Sequence, residues 1–335
     1  MSAPVVALFN PTRGIGTTTL IYHLAWMYED LGLRVVAADL DPQAGLTAAF
    51  FDEDSIEELW LHNSEPATLY RALLPAIAGD GEFLTPVLRL LDFEERLAFL
   101  PADPLLCDFE APLFEAWKHG LEGSAFAYGI AAAIRRLLRT AAETHRADLV
   151  LLDLGPTLGS INRSALFAAD SLIVPMAPEI HSALGLRNLG RRLRAWRTQW
   201  SERAPEIVDA SLEIRSFPGT PIGYLLLEPT VRLDRPPLSY NHWIAQMPGQ
   251  YRTAIHGASD DSGFHDDTDY LTRLNPYRLL STLALEARKP NFHLKPADGA
   301  VGSHARAVTS AYWEYRRLAE LIAARAGIAL PDAAA

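Results

Sequence analysis

Three places in the chain carry residues whose types and spacing could do chemistry. The first is a turn, Thr12-Arg13-Gly14-Ile15-Gly16-Thr17-Thr18-Thr19, between an apolar run and a stretch of helical spacing. Small residues at such a turn let backbone N–H groups approach an anion. The start of the following helix adds partial positive charge. The same glycines would also serve a tight turn that needs positive φ and binds nothing, so the turn alone leaves both readings open. The second place is Asp39 with Asp41, at the end of the apolar run Arg34 to Leu40. The third is Asp153, at the tip of Asp148 to Leu154. Carboxylates at the carboxyl ends of buried parallel strands stand where open α/β sheets bind ligands.

Two chemistries compete for the turn. A dinucleotide fingerprint wants GxGxxG and an acid about 20 residues on. Gly14 and Gly16 fit and Asp39 is near enough, but Thr19 holds the third glycine position. A phosphate-binding P-loop wants GxxxxGK[ST]. With Gly16 as its last glycine, Thr18 takes the position whose hydroxyl binds Mg²⁺, and Thr17 stands where the lysine belongs. The acidic pair Asp39/Asp41 and the strand ending in Asp153 favour the second chemistry, because a carboxylate at a strand tip is the Walker B arrangement.

The elements that must position these residues alternate along the chain. Pro4 to Phe9, Arg34 to Leu40, Arg96 to Pro101, Asp148 to Leu154, Ser171 to Pro175 and Pro221 to Leu227 read as buried strands. Leu20 to Leu31, Ala125 to His145, Leu186 to Trp200 and His304 to Ala326 read as helices, with Gly32 placed to end the first. The pattern predicts an α/β fold: a doubly wound, mostly parallel twisted sheet with helices on both faces. It is read as one domain over 1–330, with an irregular Pro-, Asp- and Gly-rich excursion at 228–275 and a frayed tail at 331–335.

With these elements in place, DLDPQAGLT (Asp39 to Thr47) and DLVLLDLGPTLG (Asp148 to Gly159), preceded by a deviant phosphate loop, resemble the ParA/MinD-like (deviant Walker A) P-loop ATPases. LAFLPADPLLCDFEAPL, INRSALFAADSLIVPMAPEIHSALGL and RKPNFHLKPADGAVGSH resemble further segments of that family, so the likeness covers some four-fifths of the chain. The resemblance implies roles by residue. Arg13, Gly14, Ile15, Gly16, Thr17, Thr18 and Thr19 would form the phosphate loop, with Thr18 on Mg²⁺ and Thr19 near the α-phosphate. Asp41 would orient the attacking water, Asp39 would support the metal shell, and Asp153 would hold Mg²⁺ through water. Pro296, Ala297 and Asp298 would lie near the base. ATP or ADP with Mg²⁺, a homodimer and an unidentified protein partner follow from the same likeness.

The departure from the family matters as much. Its loop has the form KGGxGKTT; here Thr12 and Thr17 stand at the two lysines. A charge-assisted hydrogen bond is worth roughly 1.5–3 kcal/mol, so two lost cations remove about 3–6 kcal/mol of phosphate binding. Charge in the transition state loses at least as much support. Arg13 is the nearby cation, with its direction open. The expected function is a nucleotide-responsive switch acting in partitioning, positioning or assembly, with hydrolysis lost or very slow. A nucleotide-free interaction protein on the same fold is the alternative. A dinucleotide- or phosphoryl-using metabolic enzyme is a third reading, disfavoured by the missing glycine.

The remaining features set bounds. The 335 residues carry 30 Lys+Arg and 41 Asp+Glu, a net charge of −11. That balance argues against a whole-surface footprint for nucleic acid. Arg187, Arg191 and Arg194 line one side of the Leu186 to Trp200 helix, a possible DNA or partner patch, but read better as a solvated face. The acidic run Asp260, Asp261, His265, Asp266, Asp267 and Asp269 has no calcium-loop or zinc spacing and reads as a solvated loop. Ser160 and Ser164 lack a nucleophile elbow. Trp243, Tyr251 and Trp313 read as core or interface. Cys107, the single cysteine, reads as buried and excludes an intrachain disulfide. No apolar run is long enough to span a membrane, and Met1 to Phe9 lacks a basic leader region, so the cytoplasm is the expected compartment.

Overall fold

The computed structural model describes residues 3–62, 65–78, 84–91, 95–122, 124–203, 219–228, 237–257, 267–275 and 277–331. Eight strands form one sheet: β1 (Val5–Leu8), β2 (Val35–Asp39), β3 (Arg89–Leu90), β4 (Leu97–Leu100), β5 (Leu149–Asp153), β6 (Ser171–Met176), β7 (Thr220–Leu227) and β8 (Tyr270–Leu274). Their order is β3-β4-β2-β5-β1-β6-β7-β8. Seven strands run parallel; the two-residue β3 is antiparallel to β4. The inner strands β1, β2, β4, β5 and β6 are buried along their whole length and mostly apolar, because helices cover both faces.

Side-chain alternation along a strand divides the core in two. Val5 and Ala7 of β1, with Val150 and Leu152 of β5, face helices Ala133–His145, Ser160–Ala168 and Ile180–Arg203. Val6 and Leu8, with Leu149 and Leu151, face helices Thr17–Asp30 and Ser303–Ala326. Leu186, Leu189, Leu193, Trp196 and Trp200 all lie on the buried side of their helix, as their 3- and 4-residue spacing predicts.

Three sequence expectations change. Ala125 to His145 is divided at Ala132, whose ψ of −3° marks a kink, three residues after Gly129. The stretch 228–275 is not irregular throughout. It holds helix Pro237–Tyr251, a π-helical turn Arg252–His256 and the strand β8. Trp243, Met247 and Tyr251 give this helix its apolar stripe, and Met247 and Tyr251 are fully buried. The density of Pro and Gly around them hid that period. Cys107 is exposed, not buried. It lies on the 3₁₀ turn Pro104–Phe109, where the three-residue repeat sends Leu106 and Phe109 inward and Cys107 out. Trp313 is also exposed, with the Arg316 guanidinium 5.6 Å from its ring. Of the acidic run, Asp260, Asp261, His265 and Asp266 lie outside the described residues, as do residues 332–335 of the tail.

Helix Ile180–Arg203 meets the Arg252–His256 turn at Gly190. A Cβ added there would strike the carbonyl group of Ala254. Gly190→Ala is therefore expected to destabilise the fold by about 1–3 kcal/mol, the usual range for overpacking. A lower urea midpoint with unchanged m would show it. An unchanged midpoint would mean the two elements are not in contact.

Candidate functional site

Strand register brings two of the acids together. Asp39 is paired with Asp153 across β2 and β5, and Leu8 is paired with Asp153 from the other side. The chain leaves β1 one residue later and turns into the glycine loop. The β1-to-β2 connection crosses one way from the sheet centre and the β5-to-β6 connection the other. The carboxyl ends thus open into a crevice at a topological switch point.

The loop between β1 and helix Thr17–Asp30 is pinned at its start. Buried Asn10 donates from Nδ2 to the Pro175 carbonyl at 2.8 Å and accepts from the Thr12 N–H at 2.9 Å. Gly14 and Gly16 adopt φ of +75° and +97°, in the left-handed region that glycine enters without penalty. Gly16 is the N-cap, and Thr17 begins the helix. Thr12 does not face the crevice freely: its hydroxyl donates to the His181 carbonyl at 3.2 Å, and it fills the space over Gly185. Arg13 is exposed and does not line the crevice.

The three carboxylates differ in how they are occupied. Asp39 is fully buried and fully bonded, accepting from the Asp41 N–H at 3.0 Å and from both the N–H and hydroxyl of Thr47 at 2.8 Å. Burial pushes its pKa up to about 7, against the lowering effect of those donors. Asp39 thus orders the 41–47 loop, and Thr47 in turn accepts from the Ala102 N–H at 3.0 Å. Asp41 is half-buried and accepts from the Gln43 N–H at 2.9 Å. It packs on Gly155, where an added Cβ would stand 2.7 Å from its Oδ1. Asp153 is completely buried, yet neither oxygen meets a donor in hydrogen-bonding geometry. Burial first, then the Asp39 and Asp41 charges, push its pKa well up; the Thr18 hydroxyl beside it opposes this.

An orphaned buried carboxylate is costly unless something pairs with it. A hard divalent cation suits this one. Oxygen donors are what Mg²⁺ takes, and it is usually held by one or two protein groups plus water and phosphate. Thr18 and Asp153 would hold it, with Asp41 near enough for its charge to act on Asp153. Among the described residues no group of three His, Cys, Asp or Glu could hold a metal ion. When bound, Mg²⁺ would neutralise phosphate charge here.

The crevice continues as a cleft of ≈850 Å³ beside the glycine loop. Gly14, Ile15, Gly16, Thr18 and Thr19 line it from the loop, and Tyr22 and His23 from the helix. Leu227, Leu274, Arg288, Lys289 and Asn291 also line it. Pro296, Ala297 and Asp298 do not line it. They form a 3₁₀ turn in which the Asp298 carboxylate accepts from Lys289 Nζ at 2.7 and 2.9 Å and from the Lys295 N–H at 2.9 Å. Arg288, Lys289 and Asn291 lie within the segment that resembles the family's closing loop, but five to eight residues before its Pro-Ala-Asp. Their distance of some 270 residues from the glycine loop hid their meeting with it.

His23 was not singled out from sequence. It is buried, stacks on Tyr315 with ring centroids 4.7 Å apart, and contacts the Thr19 carbonyl through Nδ1 at 2.7 Å. Its Nε2 accepts from the Asn291 N–H at 3.1 Å, so the Nδ1–H tautomer ties the closing segment to the first helix. Burial lowers its pKa to about 4. The unfolded chain therefore binds a proton at higher pH than the folded one, and this contribution to stability is lost as pH falls from about 6.5 to about 4. His23→Gln is expected to flatten that limb of the stability profile; an unchanged profile would contradict the buried neutral imidazole.

The arginine face is partly committed. Arg187 Nε donates to Gln250 Oε1 at 3.1 Å, Arg194 donates to the Ala254 carbonyl, and Arg191 contacts Asn188 Oδ1 at 3.4 Å. Two of the three thus hold the Pro237–His256 segment against their helix.

The fold and the crevice define a P-loop type of α/β nucleotide-site protein. The family model described as AAA domain, AAA_31, matches residues 3–204. The chain belongs to that family, as one of the ParA/MinD-like P-loop ATPases. It is 30% identical over 181 residues to Protein IncC of Escherichia coli, covering 54% of this chain and 43% of IncC. It is 26% identical over 255 residues to the chromosome-partitioning ATPase Soj of Thermus thermophilus, covering 72% of this chain and 87% of Soj. It spans less than half the length of the first curated relatives it matches. The solved ATP complex of a Cyanothece McdA variant shares the fold at TM-score 0.61 and 14% identity, covering 99% of both chains. Among the described residues no helix is long and apolar enough to cross a membrane.

Proposed function

We propose that the chain is a ParA-type nucleotide-responsive switch that works in partitioning or positioning by dimerising and binding a partner protein. The observation that carries this reading is the buried, unpartnered Asp153 beside Thr18, at the end of a strand paired with β1 and its glycine loop. Such a carboxylate is destabilising in the free protein and useful once a cation and phosphate arrive. The curated relatives named above include a chromosome-partitioning ATPase, and the McdA structure is an ATP complex. Both support the same reading.

ATP or ADP with Mg²⁺ is the proposed ligand. Asp41 is the group that would orient water for hydrolysis. With threonine at positions 12 and 17, the loop brings no lysine to the phosphates, and Arg13 is turned to solvent. Positioning without cationic stabilisation leaves phosphoryl transfer slow. The cations that do line the cleft are Arg288 and Lys289, and Lys289 is already paired with Asp298. DNA is not the favoured partner, given the net charge and the internal bonds of Arg187 and Arg194.

The test is sedimentation with ATP, ADP or no nucleotide, alongside phosphate release. A dimer that forms with Mg-ATP and turns over at or near background supports the proposal. Robust turnover that disappears in Asp41→Ala contradicts the loss of hydrolysis. One observation favours a second reading, a nucleotide-free interaction protein. Thr12 is used for packing within the chain, against His181 and Gly185, and not for reaching outward. That reading predicts the same oligomer with and without nucleotide.

A further inference from the structure

A second pocket, of ≈500 Å³, opens on the other face of the sheet, among helices Glu110–Leu121, Ser160–Ala168 and Ile180–Arg203. Its floor holds an arginine that the nucleotide site does not use. Arg163 is only 7% exposed. One terminal nitrogen donates to the Leu113 carbonyl at 3.0 Å, and the guanidinium lies 4.5 Å from the Trp117 ring centroid. Its Nε is buried and meets no acceptor. Burial lowers its pKa to about 10 against the attraction of the Glu110 carboxylate, and Arg192, which lines the same pocket, adds a smaller repulsion. The walls are Trp117, Trp196 and the half-exposed Phe114.

We infer that this pocket binds a carboxylate carried on an apolar body, as presented by an acidic, leucine- or aromatic-rich segment of a partner polypeptide. Glu110 offsets part of the Arg163 charge but accepts from the Ser160 N–H and leaves the Arg163 Nε without an acceptor, and a buried unmet donor with a second arginine lining the same pocket calls for a further anion. Trp and Phe walls call for an apolar body beside it. Glu122 and Glu202 also line the pocket, together with Lys118, and disfavour a polyanion more than a single carboxylate. The net charge of −11 works in the same direction against nucleic acid. The inference does not depend on nucleotide binding.

The experiment follows the indole N–H resonances of the full chain while 4-phenylbutyrate, its amide or inorganic phosphate is added. A labelled peptide alternating leucine and glutamate, and its glutamine counterpart, are then titrated by fluorescence anisotropy. The expected result is saturable shifts of the Trp117 and Trp196 signals with the carboxylate and weaker shifts with the amide. The glutamate peptide should bind at least about tenfold more tightly than the glutamine peptide, the effect of one charge-assisted bond. Arg192→Glu, an exposed change, should lose at least about tenfold in affinity with an unchanged melting temperature. Arg163→Met tests the floor directly, read only if its melting curve stays cooperative. Equal binding of acid and amide, or an Arg192→Glu variant that binds as well as the parent, overturns the inference. Displacement of the peptide by phosphate or a short oligonucleotide at lower concentration overturns it in favour of a phosphate site.

Discussion

Thr17→Lys is expected to tighten Mg-ATP binding by about 10- to 100-fold. Thr17 is the first residue of helix Thr17–Asp30, half-buried, directly after the left-handed Gly16. A lysine there starts from the loop geometry that the P-loop pattern requires, so its ammonium can reach the β/γ phosphates. One charge-assisted bond contributes roughly 1.5–3 kcal/mol, and about 1.4 kcal/mol is one decade. Calorimetric titration of both proteins reads the change. The gain should be larger for ATP than for ADP and absent for adenosine. An unchanged affinity, with the variant folded, would mean that phosphate does not sit on this loop.

Asp153→Asn is expected to stabilise the nucleotide-free protein and to abolish the effect of Mg²⁺ on nucleotide binding. In the parent, Asp153 is a buried carboxylate whose oxygens meet no donor in good hydrogen-bonding geometry, the Thr18 hydroxyl lying beside it, and it is paired in register with Asp39. Its folded-state pKa is raised, so the folded chain holds a proton that the unfolded chain releases. That contribution is present at low pH and lost as pH rises through the raised value. Asp39, raised to about 7, has the same sign. The stabilisation by Asp153→Asn should therefore grow as pH rises above the ordinary carboxylate range of about 4, reaching on the order of 1–3 kcal/mol, the usual penalty of an unsatisfied buried group. A variant both more stable and blind to Mg²⁺ is the signature of a site whose strain serves binding. A variant less stable than the parent at pH 8 would make Asp153 a structural residue.

What the sequence made legible follows from distance along the chain. Local features were readable: the apolar runs of β1, β2 and β5, and the glycine turn that separates β1 from its helix. Asp39 and Asp153 could be placed at strand ends because each terminates its own run. Their direct pairing came from register, which no local pattern encodes. The division of labour between them was also invisible. Thr47, eight residues on, takes Asp39 out of service as a free ligand, and Asp153 keeps its oxygens open. Arg288, Lys289 and Asn291 reach the cleft through the fold and not through a motif, and Asp298 turns out to hold Lys289. Helix Pro237–Tyr251 was hidden by Pro248 and by neighbouring turn residues, although Met247 and Tyr251 form its core contacts.

The most direct test of the central claim is calorimetry and thermal melting of the unmodified chain with ATP, ADP and a non-hydrolysable ATP analogue, each with and without Mg²⁺. Binding adds RT ln(1 + [L]/Kd), about 2.7 kcal/mol at a hundredfold excess over Kd. The account predicts a Mg²⁺-dependent stabilisation at millimolar nucleotide, equal for ATP and its analogue because hydrolysis is slow. No stabilisation by any nucleotide at about 10 mM, with or without Mg²⁺, would contradict it.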